Sequence, residues 1–130
     1  SFQKLEKIHN KMEFELGLKN AYLDEIYFCP HHTDKGFKGE VVKLKFDCDC
    51  RKPKTGLLKN AEDKHKISLK NCFFVGDKIS DIECALAHGC IPILVETGYG
   101  LRSIKERGSR ENLTIKKNLN EAVKFILSEA

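Results

Sequence analysis

The stretch CFFVGDKISDIECALAHGCIPILV, residues 72–95, decides the fold. Its two ends, residues 72–75 and 91–95, are short apolar runs, too short for core helices and of the right length for strands. Between them, Ser80-Asp81-Ile82-Glu83 has the Ser-x-x-Glu form of a capping box and Gly89 is a helix stop, which predicts a helix with Ile82, Ala85 and Leu86 turned inward. Two strands joined through a helix run parallel, and strands that are apolar throughout are what a sheet covered on both faces requires. The expected class is α/β, a three-layer Rossmann-like parallel sheet with helices on both faces. Ligands of such sheets bind beyond the carboxyl ends of the strands, so Gly76-Asp77-Lys78 and Glu96-Thr97-Gly98 fall where a site belongs.

Outward from this core, Phe2, Leu5, Ile8, Met12 and Leu16 recur at helical spacing up to Gly17, which predicts an opening amphipathic helix. Ile26-Tyr27-Phe28 reads as a short strand. Residues 31–49 are polar and glycine-punctuated, and an irregular stretch of that length is usually functional or held by a ligand. Thr55, after Pro53, caps a predicted helix carrying Leu57, Leu58 and Ala61. After residue 100 the sequence reads as a polar, basic linker, and Asn118 or Asn120 caps a last helix bearing Ala122, Val123 and Ile126.

A chain of 130 residues, 41% hydrophobic and 32% charged, has room for one compact domain, here residues 1–130, with a single core. It has no apolar run near the ~20 residues a spanning helix needs, so no membrane partner is expected. The net charge of +4 comes from basic residues scattered among acidic ones without aromatic interleaving, and nucleic acid is not an expected partner either. Ser1-Phe2-Gln3-Lys4 lacks the pattern of a secretory leader, and the expected location is cytoplasmic. There, the six cysteines would remain thiols. Cys72, Cys84 and Cys90 lie in apolar contexts and are assigned to the core.

The other three cysteines have a different setting. Cys29-Pro30-His31 and Cys48-Asp49-Cys50 form two pairs with one residue between members, and three thiolates with an imidazole suit tetrahedral zinc. Such a site would pin both ends of the loop 29–50, and His32 could replace His31. Asp77, behind a buried strand, is a candidate magnesium ligand, since this hard cation takes one or two carboxylates and keeps positions for water and phosphate. Asp81 either joins it or stabilises the helix N-terminus. Arg51 and Lys52 follow Cys50 directly; the guanidinium suits bidentate phosphate recognition and the ammonium acts as a point charge. Asp47-Cys48-Asp49 mimics a nucleophile motif, but Val42, Leu44 and Phe46 alternate with Lys43 and Lys45 as in a half-exposed ribbon, and it is rejected as one.

Cys29-Pro30-His31-His32, Cys48-Asp49-Cys50-Arg51-Lys52-Pro53-Lys54 and Val75-Gly76-Asp77-Lys78-x-x-Asp81, in this order, resemble the haloacid-dehalogenase-type phosphatases of the D,D-heptose 1,7-bisphosphate and histidinol-phosphate group. Gly76-Asp77-Lys78 and Thr97-Gly98-Tyr99-Gly100 resemble the heptose branch more closely. The resemblance covers residues 2 to about 100. It implies a structural Zn2+ on Cys29, His31, Cys48 and Cys50, with Arg51 in substrate recognition and Lys52 steadying the transferring phosphoryl group. A catalytic Mg2+ would sit on Asp77 and the Lys78 backbone, with Asp81 in its outer shell. The implied reaction removes the 7-phosphate of a heptose bisphosphate, a small sugar phosphate, through an aspartyl-phosphate, in nucleotide-heptose synthesis for lipopolysaccharide or capsule.

The family's Asp-x-Asp-Gly-Thr segment and phosphate loop precede the helix with which this chain opens. The expectation is therefore a partial domain that lacks N-terminal strands, is inactive alone, and needs that segment or another chain to complete the sheet. Two further readings are a histidinol-phosphatase relative and a non-catalytic zinc-bound module that binds a sugar phosphate or a partner.

Overall fold

The structure, a computed structural model, describes residues 1–29, 48–106 and 112–129. It divides into two units, Ser1–Cys50 and Arg51–Ala130.

In the first unit, helix α1 spans Phe2–Gly17, with the Ser1 hydroxyl accepting from the Lys4 N–H at 3.3 Å. The helix forms where the spacing predicts it, but its apolar stripe is not buried: Phe2, Ile8 and Met12 are all exposed. Phe28 packs edge-on against Phe2, ring centroids 6.3 Å apart, and lies 5.5 Å from His9. Residues 26–28 are not a strand. A strand exists only through its ladder to a neighbour, and none of the described residues of this unit offers one. The predicted loop lies almost wholly outside the described residues.

The second unit holds a three-stranded parallel sheet in the order β1-β2-β3, made of Phe73–Gly76, Ile91–Val95 and Thr114–Lys116. Phe73 pairs with Ile91 and Gly76 with Leu94, while Ile93 faces Thr114. Ile93 and Val95 point to one face, where they meet Ala122 with Phe73, Val75, Phe125 and Ile126 around them. That face is covered by α5, Leu119–Glu129, whose N-terminus is capped by Asn118: its Oδ1 accepts from the Glu121 N–H at 2.9 Å. Leu94, one residue out of phase, turns to the other face and is fully buried. There α3, Ile79–His88, packs on β1 and β2 through Ile82, Cys84 and Ala85. The three layers expected from residues 72–95 are present.

Several local expectations are corrected. The N-cap of α3 is Lys78 rather than Ser80, and the carboxylate that reaches back to it is Asp81, not Glu83. Leu86 and Val123 are exposed, because each lies just off the stripe that meets the sheet. Cys72 is exposed, while Cys84 and Cys90 are buried as expected. β1 is only half-buried, since among the described residues it has a strand on one side only. The supposed linker after residue 100 contains α4, Gly100–Glu106, and β3. β3 is three residues long and carries Lys116, so its sequence is too short and too polar to signal a strand; its pairing with β2 makes it one.

Helix α2, Gly56–His65, has Thr55 at its N-cap position as predicted, though the Thr55 side chain makes no capping hydrogen bond, and presents Leu57, Leu58 and Ala61 half-buried. It is tied to α3 by the Glu62 carboxylate, which meets His88 Nε2 at 2.5 Å and accepts from the Leu69 N–H at 3.2 Å. The bond from His88, then the one from Leu69, hold the Glu62 carboxyl below its ordinary value.

Candidate active site and thiol cluster

The carboxyl end of β1 is a tight turn built around Asp81. Its Oδ2 accepts from the backbone N–H groups of Asp77 and Lys78, both at 3.1 Å, while its Oδ1 forms an ion pair with the Lys52 ammonium. The Asp81 side chain is 5% exposed, and that of Lys52 is 45% exposed. A buried carboxylate is stable only when its oxygens are occupied, and here backbone donors and one cation occupy them. Gly76 is required by this packing: a Cβ at that position would run into the Asp81 carboxyl group.

Asp77 is held from the neighbouring loop. Its Oδ2 accepts from the Tyr99 N–H at 2.9 Å and its carbonyl accepts from the Ser103 hydroxyl at 2.7 Å. Gly98 makes this approach possible, with φ at +63° and a Cβ position that Asp77 Oδ2 already fills. Asp77 Oδ1 has no hydrogen-bond partner among the described residues, so one carboxylate oxygen is left for a cation at the sheet mouth. Both oxygens of Asp81 are engaged, which suits it to bracing the turn rather than to ligating a metal. Lys78 turns its ammonium over the Tyr99 ring, 4.4 Å from the centroid, and leaves its backbone at the turn. Beside it, Lys78, Ser80, Tyr99, Arg102 and Ser103 line a groove of about 290 Å³.

Asp77, Lys78, Asp81 and Lys52 are therefore brought together at the carboxyl end of β1. Arg51 is exposed beside Lys52 in the chain. Ser103 escaped sequence reasoning altogether. Its only signal was its place one helical turn after Gly98-Tyr99-Gly100, in a segment read as linker.

In the first unit the thiols of Cys29, Cys48 and Cys50 converge. Cys29 and Cys48 are 3.4 Å apart, Cys48 and Cys50 3.1 Å, and Cys50 and Cys29 2.9 Å, with no disulfide among them. Sulfurs bound at about 2.3 Å to a tetrahedral zinc stand nearly 4 Å apart, so a small outward movement would fit them to that ion. Burial, and then the neighbouring thiols, push the Cys50 thiol up to about 12. The crowding disfavours thiolates unless a cation is placed among them. These three are a metal-competent group; His31, the expected fourth ligand, lies outside the described residues.

Comparison with known proteins finds relatives over most of the chain. The chain is 37% identical over 111 residues to the D-glycero-beta-D-manno-heptose-1,7-bisphosphate 7-phosphatase of Pseudomonas putida, covering 85% of this chain and 57% of that protein. It is 31% identical over 126 residues to the protein of the same name from Bordetella bronchiseptica, covering 97% and 64%. The crystal structure of D,D-heptose 1,7-bisphosphate phosphatase from B. bronchiseptica, complexed with magnesium and phosphate, superposes with a TM-score of 0.81 at 31% identity, over 97% of this chain and 64% of that one. The chain thus spans less than two thirds of the length of these relatives. No described helix is long and apolar enough to cross a membrane. The model of the HAD-hydrolase-like family matches residues 49–122. That match runs from beside the thiol cluster, through Lys52 and the Asp77 turn, into α5, so the sheet and the polar cluster at its mouth lie inside it, and the chain belongs to the HAD-hydrolase-like family.

Proposed function

We propose that this chain carries the cation-binding and phosphoryl-stabilising part of the active site of a magnesium-dependent phosphomonoester hydrolase. Its substrate is D-glycero-D-manno-heptose 1,7-bisphosphate, from which the 7-phosphate is removed. The observation that carries the reading is the Lys52–Asp81–Asp77 arrangement, in which one buried carboxylate orients both a cationic side chain and the turn that bears a free carboxylate oxygen. The names of the relatives support the substrate.

Asp77 Oδ1, with the Lys78 backbone, would hold Mg2+, which when bound supplies positive charge to the phosphoryl oxygens. Lys52 donates hydrogen bonds and charge to the same oxygens as the phosphoryl group leaves the sugar, and Asp81 keeps its ammonium from turning into solvent. Arg51, whose planar fork matches a phosphate, recognises the substrate. Cys29, Cys48 and Cys50, with His31, would hold a structural zinc that fixes the backbone leading into Arg51 and Lys52. The attacking carboxylate of an aspartyl-phosphate route belongs to an Asp-x-Asp-Gly-Thr segment, a motif these 130 residues do not contain. Residues 1–130 alone are accordingly expected to release no phosphate.

Phosphate release from heptose 1,7-bisphosphate, assayed in a protein that includes the nucleophile segment, tests the reading. Lys52→Ala should lower kcat by about 10²- to 10³-fold with little change in KM, whereas Arg51→Ala should chiefly raise KM. Small and equal effects of both would make the pair a solvated turn. Hydrolysis by residues 1–130 alone, abolished by Asp77→Asn, would place a nucleophile in this chain.

A further inference from the structure

At the end of the sheet away from Asp77, β1 and β2 start side by side. Phe73 is paired with Ile91, and the Ile91 N–H donates to the Cys72 carbonyl at 2.8 Å. One step back along each strand stand Cys72 and Cys90. Neighbouring strands lie about 4.8 Å apart, within the window of about 4.4 to 6.8 Å between Cα atoms that a disulfide needs. Both residues immediately precede their strands, and the alternation extended back by one residue places their side chains on the face opposite Phe73 and Ile91. The two sulfurs donate to adjacent residues' carbonyls, Cys72 Sγ to Ser68 O at 3.8 Å and Cys90 Sγ to Leu69 O at 3.5 Å. Both are free thiols, Cys72 exposed and Cys90 only 7% exposed. Cys84, 2% exposed, donates instead to the Lys54 carbonyl at 3.4 Å.

We propose that Cys72 and Cys90 are a reversible redox pair, joined as a disulfide when the protein meets hydrogen peroxide. The Cys72 thiolate attacks one peroxide oxygen and the O–O bond breaks, leaving a sulfenic acid and one water. The Cys90 sulfur then attacks the sulfenic sulfur, the S–O bond breaks, and the second water departs with the remaining proton. Two thiols are oxidised and one peroxide is reduced. Exposure assigns the first step to Cys72; burial pushes the Cys90 thiol up and makes it the less reactive of the two toward peroxide, which leaves it the second step. The bond closes the β1–α3–β2 crossover at its base and leaves the Asp77 end open, so it stabilises this unit against unfolding.

Peptide mapping of the full 130-residue chain after peroxide treatment tests this. Trypsin releases residues 71–78 and 79–102, and the disulfide joins them with the loss of two hydrogens. The joined peptide should dominate after oxidation, disappear with dithiothreitol, persist in Cys84→Ser and be absent in Cys72→Ser, a substitution at an exposed position that leaves the core intact. Fragment ions should place the link on Cys90. A link to Cys84 or to the Cys29 cluster, a link between two chains, or over-oxidised Cys72 with no joined peptide would each overturn the proposal.

Discussion

Asp81 is the residue on which the site's geometry depends, and its removal has a cost that can be worked out. It accepts two backbone N–H bonds and pairs with Lys52. A hydrogen bond to a charged group contributes about 1.5–3 kcal/mol, with less expected here because the turn lies near solvent and water can reach the freed N–H groups. The ion pair adds at most about 1 kcal/mol, since Lys52 is 45% exposed. Asp81→Ala should therefore cost about 3–5 kcal/mol. Asp81→Asn keeps an acceptor oxygen without its charge and should cost about 2 kcal/mol. In a unit of about 80 residues that corresponds to a fall in Tm of roughly 10 °C. Urea unfolding of the 130-residue chain followed by circular dichroism gives both values. A loss under about 0.5 kcal/mol in Asp81→Asn would refute the reasoning, because the carboxylate would then not be holding the turn.

Cys48→Ser should reduce bound zinc from about one per chain toward none and destabilise Ser1–Cys50, because metal binding and local folding are coupled; elemental analysis and thermal unfolding check both. Gly98→Ala places a side chain at φ +63° against Asp77 and should destabilise by about 1–3 kcal/mol. It should also weaken Mg2+ binding, measured by titration calorimetry; unchanged binding would count against Asp77 as the ligand. The Glu62 carboxyl, held below its ordinary 4.5 by His88 and Leu69, contributes stability that is complete above that value and is lost as pH falls through the lower folded one. Glu62→Gln should thus flatten the acid limb of a stability-pH curve, and an unaltered curve would show that the contact has no net effect.

Residues 72–95 determined the β-α-β unit by themselves, because an apolar strand, a capped helix and a second apolar strand admit few packings. Local spacing likewise brought together Cys48 and Cys50, and Asp77 with Asp81, since members of each pair are a few residues apart. Tertiary structure decided what depends on distant partners. Thr114–Lys116 is a strand only because β2 offers it a ladder, and residues 26–28, more apolar than β3, have no such neighbour among the described residues. Asp81 could have faced a metal or a helix terminus on its sequence alone; packing α3 on the sheet turned it toward the Asp77 backbone and Lys52, 29 residues earlier. Ser103 and Tyr99 reached Asp77 only through the loop after β2. Patterning is written in neighbouring residues, whereas the occupants of a carboxylate's oxygens are set by which elements fold against it.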